Sequence, residues 1–485
     1  MKKLQATSTT KWILFGVFVV LNVVLKFLYL DTNSISWDEP FSIYHAQMDV
    51  SKIIHHLYQG NNPPLFEIML HYWIKWAGIS PFSVRFLPAV FSSMTAGIVF
   101  LIGWRFISHK AGIFAALLFT GSNFHLFFAH EARVYAWFGL LTVSSMYVFF
   151  SLLENQKSTA RWIALVLLNA TLMYSHYFGV FLIAIQGLSV LMVPEIRRKM
   201  LVRYLISGVA TFLLFLPNVV ILANRLQVSA TRGTWIEKPT GIESLYNMLW
   251  NFSNQPVTTV ICIALLVAAL VKKIILWKKS NTTPQTQVVL IWFLFPFLSL
   301  FAISYAIPMF LDRYLVFVSF GYYLSVAVSV HFLFRNQRVN TWMYGAVALL
   351  FVATLKPNLD NKRHAQEAIA YVKKQTNEQT SVLICGHDFV LNFCYYYDID
   401  LFRRYNDQHV YQTMTEELNK KHIYPLYKMD STLPLQEKVI YFDAAADFSN
   451  PNNGILETLK QRYTLVNTTH FEAIFTVYEF RKLGF

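Results

Sequence analysis

The feature that most constrains this chain is the recurrence of apolar runs long enough to cross a bilayer. About 20 apolar residues, or somewhat fewer, suffice for one helical crossing. The first such run is Trp12–Leu30, and ten more follow at approximately 83–107, 111–128, 134–153, 162–175, 178–194, 204–222, 256–276, 287–307, 314–334 and 341–355. Lipid offers no hydrogen-bond partners, so each run is expected as a helix that satisfies its own backbone. Only 14% of the 485 residues are charged and the mean hydropathy is +0.40, whereas soluble domains carry about 25% charged residues. The first run exceeds the short apolar core of a cleaved signal peptide and lacks a small-residue cleavage site, so it reads as an uncleaved span.

The net charge of +14 could suggest nucleic acid, but its distribution excludes that reading. Lys2, Lys3 and Lys11 precede the first run; Arg105 and Lys110 follow the second, and Lys157 and Arg161 the fourth. Arg197, Arg198 and Lys199 follow the sixth, Lys272, Lys273, Lys278 and Lys279 the eighth, and Arg335 and Arg338 the tenth. Every second loop is basic, which is the pattern of cytoplasmic loops. The N-terminus is therefore expected inside and residues 31–82, the first long loop, outside. This parity needs two short spans meeting at His176-Tyr177 rather than one tilted helix.

Within that loop, Ile43, Ala46, Val50, Ile53, Ile54 and Leu57 recur at helical spacing, as do Leu65, Ile68, Met69, Tyr72, Trp73 and Trp76 after Pro63-Pro64. Two interfacial helices fit, with Trp and Tyr at headgroup depth; a soluble helical hairpin is the plainer alternative. Beyond Lys356 the charge becomes ordinary. Asn361–Lys374 reads as an amphipathic helix, and Ser381–Cys385 and Lys438–Phe442 as buried strands. The expected architecture is an all-α polytopic membrane bundle of about 11 helices over residues 1–355, followed by a small α/β soluble domain over 356–485 on the outer side. Cys262, Cys385 and Cys394 have no metal or redox spacing and read as buried thiols.

Polar residues gather at the outward ends of the spans. Asp38 and Glu39 follow the first; Glu131, Arg133 and Tyr135 lie before the fourth; His176 and Tyr177 separate the fifth and sixth; Asp312 and Arg313 precede the tenth. Ionisable groups at such depths are functional candidates. Of two adjacent carboxylates, one can act as general base while its neighbour joins a hydrogen-bond network or holds a divalent cation, the one cofactor the pair could ligate. The plainer role for Asp38 is the N-cap of the helix that Glu39-Pro40 would open. Arginines offer forked donors that match phosphate oxygens; the plainer alternative pairs Arg133 with Glu131 and Arg313 with Asp312.

Several of these residues sit in recognisable blocks. Trp37-Asp-Glu-Pro-Phe-Ser-Ile-Tyr44, Asn61-Asn-Pro-Pro-Leu65 and His130-Glu-Ala-Arg-Val-Tyr-Ala136 resemble the GT-C glycosyltransferases, in the branch of dolichyl-phosphate-mannose protein mannosyltransferases and lipid A aminoarabinose transferases. Ser175-His-Tyr-Phe178 and Asp312-Arg-Tyr-Leu315 look similar to further blocks, so the resemblance covers roughly residues 1–335. It implies inverting transfer of a sugar from a polyprenyl-phosphate carrier to a lipid, glycan or protein acceptor on the outer face of a bacterial inner membrane. It further implies Asp38 as base, Glu39 as its companion and Arg133 as holder of the lipid phosphate. Arg313 would join Arg133 at the donor phosphate, and Tyr44, Asn62, Glu131, Tyr135, His176, Tyr177 and Asp312 would line the pocket. Pro40 stands where a small residue is common and Asn62 where His often precedes Pro-Pro, which bears on substrate identity. A polysaccharide polymerase or ligase, a lipid-linked sugar transporter and a sensor are the rivals. A transporter would place charge at mid-span in repeated, broken helices, and none is visible in the sequence.

Overall fold

The computed structural model describes residues 8–58, 63–232, 236–276, 282–404, 410–430, 432–444, 452–472 and 474–482. Asn61 and Asn62, and the basic residues Lys2, Lys3, Lys278 and Lys279, lie outside them. The helices run in chain order from α1 (Ser8–Phe27) through three short ones, α2 (Glu39–Ala46), α3 (Val50–Tyr58) and α4 (Leu65–Ala77). Then come α5 (Pro81–Phe106), α6 (His109–Thr120), α7 (Asn123–Ala129), α8 (Tyr135–Glu154), α9 (Thr159–Ser175), α10 (Gly179–Met192) and α11 (Pro194–Arg232). Next are α12 (Glu243–Ser253), α13 (Pro256–Ile275), α14 (Pro284–Ile303), α15 (Val316–Leu333) and α16 (Gln337–Ala353). The C-terminal helices are α17 (Ala365–Gln375), α18 (Val390–Tyr397), α19 (Ile399–Arg403), α20 (Val410–Asn419) and α21 (Gly454–Arg462). The chain forms two compact units: Met1–Leu28, His56–Phe66 and Arg85–Leu359 make the first, and Tyr29–His55, Glu67–Val84 and Asp360–Phe485 the second.

The first unit is the membrane bundle. Among the described residues seven helices are long and apolar enough to cross a membrane, and an eighth crossing arises if α6 and α7 count as one. Helices α9, α10 and α16, of 17, 14 and 17 residues, correspond to the three remaining runs. The third run is broken where a straight helix was expected: α6 and α7 meet at 60°. Gly121 closes α6, and the Ser122 hydroxyl accepts the His125 N–H to start α7, so the sequence carries a stop and a start inside one apolar stretch. Helix α15 is the centre of the bundle, 83% buried, whereas α1, α11 and α13 are only 17–22% buried over their apolar windows and show their outer faces to lipid.

Small and polar residues fix how these helices meet. The α5–α6 hairpin is tight because Gly103 and Gly112 oppose each other; a Cβ on Gly112 would lie 2.7 Å from the Phe100 carbonyl oxygen. Ser145, Asn169 and Gln186 form a closed hydrogen-bonded triad that ties α8, α9 and α10. Lys26 is buried near the end of α1, donates to the Ser92 hydroxyl at 2.6 Å and lies 4.1 Å above the Phe119 ring. Its carbonyl accepts from His130 Nε2 at 2.9 Å, which anchors the loop between α7 and α8.

The second unit combines α2 and α4 with the α/β region. Its sheet has the order β2-β1-β3-β5-β4. Strands β1 (Thr380–Cys385), β2 (Ile423–Leu426) and β3 (Lys438–Ala444) are parallel, while β4 (Tyr463–Phe471) and β5 (Phe475–Lys482) add an antiparallel hairpin. One face packs Leu383, Val439, Tyr441 and Phe480 under Ile455, Leu456 and Leu459 of α21. On the other, Phe389, Phe442 and Phe475 stack together. The three cysteines are buried thiols outside any disulfide.

The first loop differs from expectation in detail. The helix expected around Ile43–Leu57 is two, because α2 ends at Ala46 and the Asp49 carbonyl opens α3 by accepting from the Lys52 and Ile53 amides. Within the second unit α2 and α4 are joined by a bond from the Ser42 hydroxyl to Glu67 (2.7 Å) and one between His71 Nδ1 and the Ala46 carbonyl (2.8 Å).

Candidate active site

The acidic pair lies at the start of α2. Asp38 is the residue before the helix, but its backbone is helical and its side chain makes no capping hydrogen bond. The N-cap explanation for Asp38 therefore falls away. Glu39 takes the local structural task instead: it is 1% exposed and accepts the Ser36 N–H on Oε2 at 3.3 Å. The two carboxylates thus divide their roles by position, Glu39 holding backbone and Asp38 half-buried beside it.

The conformation that presents Asp38 is strained and buttressed. Trp37 has φ +56°, a left-handed backbone that costs a non-glycine residue roughly 1–2 kcal/mol. Its carbonyl accepts from Asn392 Nδ2 at 3.1 Å, and the Ile35 N–H donates to the Tyr396 hydroxyl at 2.5 Å. Both partners are on α18, which also reaches the Ile79 carbonyl through Tyr395 at 2.7 Å. Tyr44 is fully buried with its ring 5.6 Å from Phe402. Two residues that the sequence reading missed belong to this neighbourhood. Burial pushes the Tyr411 phenol above its ordinary value, and the charges of Asp388 and Asp38 and the phenols of Tyr427 and Tyr44 add to the effect. Tyr427 donates to Asp388 at 2.9 Å. Nothing in the sequence marks Tyr411 among 26 tyrosines.

In the membrane unit, Glu131, Arg133, Tyr135 and His176 are all more than nine-tenths buried. The Arg133 N–H donates to the Glu131 carbonyl at 2.7 Å, a tight turn that delivers both side chains between α7 and α8. His176 ends α9, with its ring 4.8 Å from Phe138, 5.7 Å from Tyr314 and 6.2 Å from Tyr135. The Asp312-Arg-Tyr block is a 3-10 turn whose Tyr314 packs on His176 and Phe178, which brings that block and the His176 loop together. Arg313 donates its own N–H to Asp312 Oδ1 at 2.6 Å, and both side chains are half-buried. Tyr177 is half-buried, and burial raises its phenol above the ordinary value.

His176 is the most informative of these. Its Nδ1 accepts the Phe178 N–H at 3.1 Å, so the ring proton of the neutral form is on Nε2. Burial, then the neighbouring Arg133 charge, lowers its pKa to about 3, so the ring is neutral at physiological pH. Nε2–H is buried and meets no acceptor among the described residues. A buried donor left without a partner is costly, about 1–3 kcal/mol, and beside an arginine it suits a bound anion.

Among the described residues, no cluster of three potential metal ligands includes Asp38. Among the described residues the group whose ligand atoms converge is Asp360, His364 and Glu472, all within 4.8 Å of one another. The Lys362 ammonium stands 3.5 Å from both carboxylates there and offsets part of their charge.

Comparison with known proteins accords with this geometry. Residues 61–221 match the family described as dolichyl-phosphate-mannose-protein mannosyltransferase. No curated protein sequence matches the chain. Among solved structures, apo ArnT from Cupriavidus metallidurans is similar with a TM-score of 0.59 at 10% identity, covering 98% of each chain. The undecaprenyl phosphate complex of the same ArnT gives 0.59 at 10% identity over 97% and 98% of the two chains. The Archaeoglobus fulgidus oligosaccharyltransferase in complex with Zn and sulfate gives 0.50 at 12% identity, over 87% of this chain and 67% of that one. At such identities these likenesses establish the fold, while the match over 61–221 establishes the kind of sequence that carries it. The chain shares the fold of these solved structures, and residues 61–221 within it are similar in sequence to the mannosyltransferase family.

Proposed function

We propose that the protein transfers a sugar from a polyprenyl-phosphate carrier to an acceptor hydroxyl on the outer face of a bacterial inner membrane, with inversion at the anomeric carbon. Asp38 takes the acceptor proton as the acceptor oxygen attacks that carbon. The bond from the anomeric carbon to the phosphate oxygen breaks, and the lipid phosphate leaves with the electron pair. Arg133 neutralises the departing phosphate, and the His176 Nε2–H donates to one of its oxygens. Glu39 holds the Asp38 loop; on the sequence blocks alone, Arg313 is assigned to the donor phosphate with Arg133, and Asp312, Glu131, Tyr135, Tyr177 and Tyr44 to substrate contact. Asn62 is proposed on the sequence block alone. A divalent cation is the one cofactor that Asp38 and Glu39 could hold.

The observation that carries the reading is the neutral, buried His176 with an unmatched Nε2–H next to Arg133. The likeness to an ArnT that binds undecaprenyl phosphate supports a lipid-phosphate carrier. The basic loops support an outward site.

The test is donor binding to the purified protein. Arg133→Ala is expected to weaken the affinity for polyprenyl phosphate at least tenfold while the protein remains folded. Full affinity in a folded Arg133→Ala variant would remove the assigned role.

A further inference from the structure

The second unit contains a basic pocket that the transfer reaction does not use. It has a volume of about 310 Å³ and lies along one face of α4, where His71, Ile74, Lys75 and Gly78 follow one another at helical spacing. Ala46 and Gln47 at the end of α2 and Arg403 at the end of α19 complete the wall. None of the lining residues is acidic. Among the described residues Arg403 makes no ion pair or hydrogen bond, and Lys75 meets only the face of the Tyr72 ring at 5.9 Å. His71 must carry a proton on Nδ1, because the Ala46 carbonyl it meets at 2.8 Å can only accept. Its ring is thereby fixed in the wall of the pocket.

The helix that carries this pocket is built for a membrane surface. At 13 residues α4 is too short to cross a bilayer. Tyr72 is 63% exposed and Trp76 82% exposed, one helical turn apart and directly beside Lys75. Amphipathic aromatic side chains of this kind rest at headgroup depth. A pocket at that depth with two cations of unmatched charge and no acid is electrostatically suited to a phosphate carried by a lipid.

We propose that this pocket binds the phosphate-bearing headgroup of an anionic membrane phospholipid, with Lys75 and Arg403 as the charged donors. The occupant is a bystander lipid that seats α4 on the bilayer. It is neither donor nor acceptor of the sugar.

The test uses the full-length protein in neutral detergent, with native mass spectrometry counting retained lipid after addition of phosphatidylglycerol or phosphatidylcholine. The wild type is expected to retain phosphatidylglycerol in preference to phosphatidylcholine. The Lys75→Gln/Arg403→Gln double variant, altered at two exposed positions, is expected to lose that retention at least tenfold. A control of equal charge change at two other exposed positions of the unit, Lys374→Gln/Lys428→Gln, is expected to keep it. Equal retention by the wild type and the double variant, or equal loss in the control, overturns the proposal. Displacement of the lipid by inorganic phosphate at matched concentration would make this a free-phosphate site and also overturns it. The readout is lipid retention rather than sugar transfer, so it stands or falls apart from the roles of Asp38 and Arg133.

Discussion

Replacing His176 by Phe tests the anion site without emptying it. The ring keeps its neighbours Phe138 at 4.8 Å, Phe178 at 5.4 Å and Tyr314 at 5.7 Å, so packing is largely conserved. Two polar features vanish. The Phe178 N–H loses its acceptor, which costs about 1–3 kcal/mol if the amide finds no water. The unmatched Nε2–H also disappears, which offsets part of that loss. Net stability should therefore change by no more than about 2 kcal/mol. Donor binding should change more, because a hydrogen bond to a charged phosphate contributes about 1.5–3 kcal/mol, or roughly 10- to 150-fold in affinity. The assay is calorimetric titration of purified protein with polyprenyl phosphate, together with KM for donor and for acceptor in a transfer assay. Donor affinity should fall and acceptor KM should hold. A second readout follows from the lowered pKa. Because the folded value, about 3, is below the free value of 6.5, the His176 contribution to stability is complete above about pH 6.5 and is lost as pH falls toward 3. The slope is at most about 1.4 kcal/mol per pH unit, and the Phe variant should lack it. Wild-type donor affinity and wild-type acid sensitivity in a folded His176→Phe protein would refute the argument.

Three other outcomes follow from particular contacts. Asn392→Ala removes the donor that holds the Trp37 carbonyl, so transfer should slow about tenfold with donor affinity unchanged, as read by initial rates and donor titration. Asn169→Leu opens the triad between α8, α9 and α10, and thermal melting in detergent should show a loss of about 1–2 kcal/mol. Gly112→Ala drives a Cβ into the backbone of α5 at Phe100 and Trp104, and the same melt should show a loss of about 1–3 kcal/mol or more.

The membrane architecture was legible because lipid imposes one rule on every crossing, and the rule writes itself as long uncharged runs. The same rule hides breaks. Gly121 and Ser122 are compatible with an apolar span, and only the bond from His125 N–H to the Ser122 hydroxyl shows that the chain turns by 60° there. The first loop was legible as amphipathic helices, but the restart at Asp49 reads as one more polar residue in a continuous pattern. Strands β1 and β3 stood out as short β-branched runs with their central residues buried, whereas β4 exposes five of its nine residues and gives no apolar signal.

The candidate site was partly legible. Positions at the ends of apolar spans drew attention to Asp38, Glu131, Arg133, His176 and Arg313, because charge at such depth needs a reason. Two adjacent carboxylates left the roles open on their chemistry alone, and the family resemblance implied Asp38 as base with Glu39 as companion. The Glu39 bond to Ser36 and the helical backbone at Asp38 add a physical ground for that division. The sequence could not show which His176 nitrogen carries the proton, since that depends on the Phe178 amide two residues on. Asn392, Tyr396 and Tyr411 lie more than 350 residues from Asp38 along the chain, and only folding within the second unit makes them relevant.

The most direct test of the central claim is Asp38→Asn in membranes supplied with a polyprenyl-phosphate-linked sugar. Transfer should fall by about 10²- to 10⁴-fold, the usual contribution of a general base, while the affinity for polyprenyl phosphate stays within about twofold of wild type. Transfer by a normally folded Asp38→Asn protein at a rate close to wild type would contradict the account.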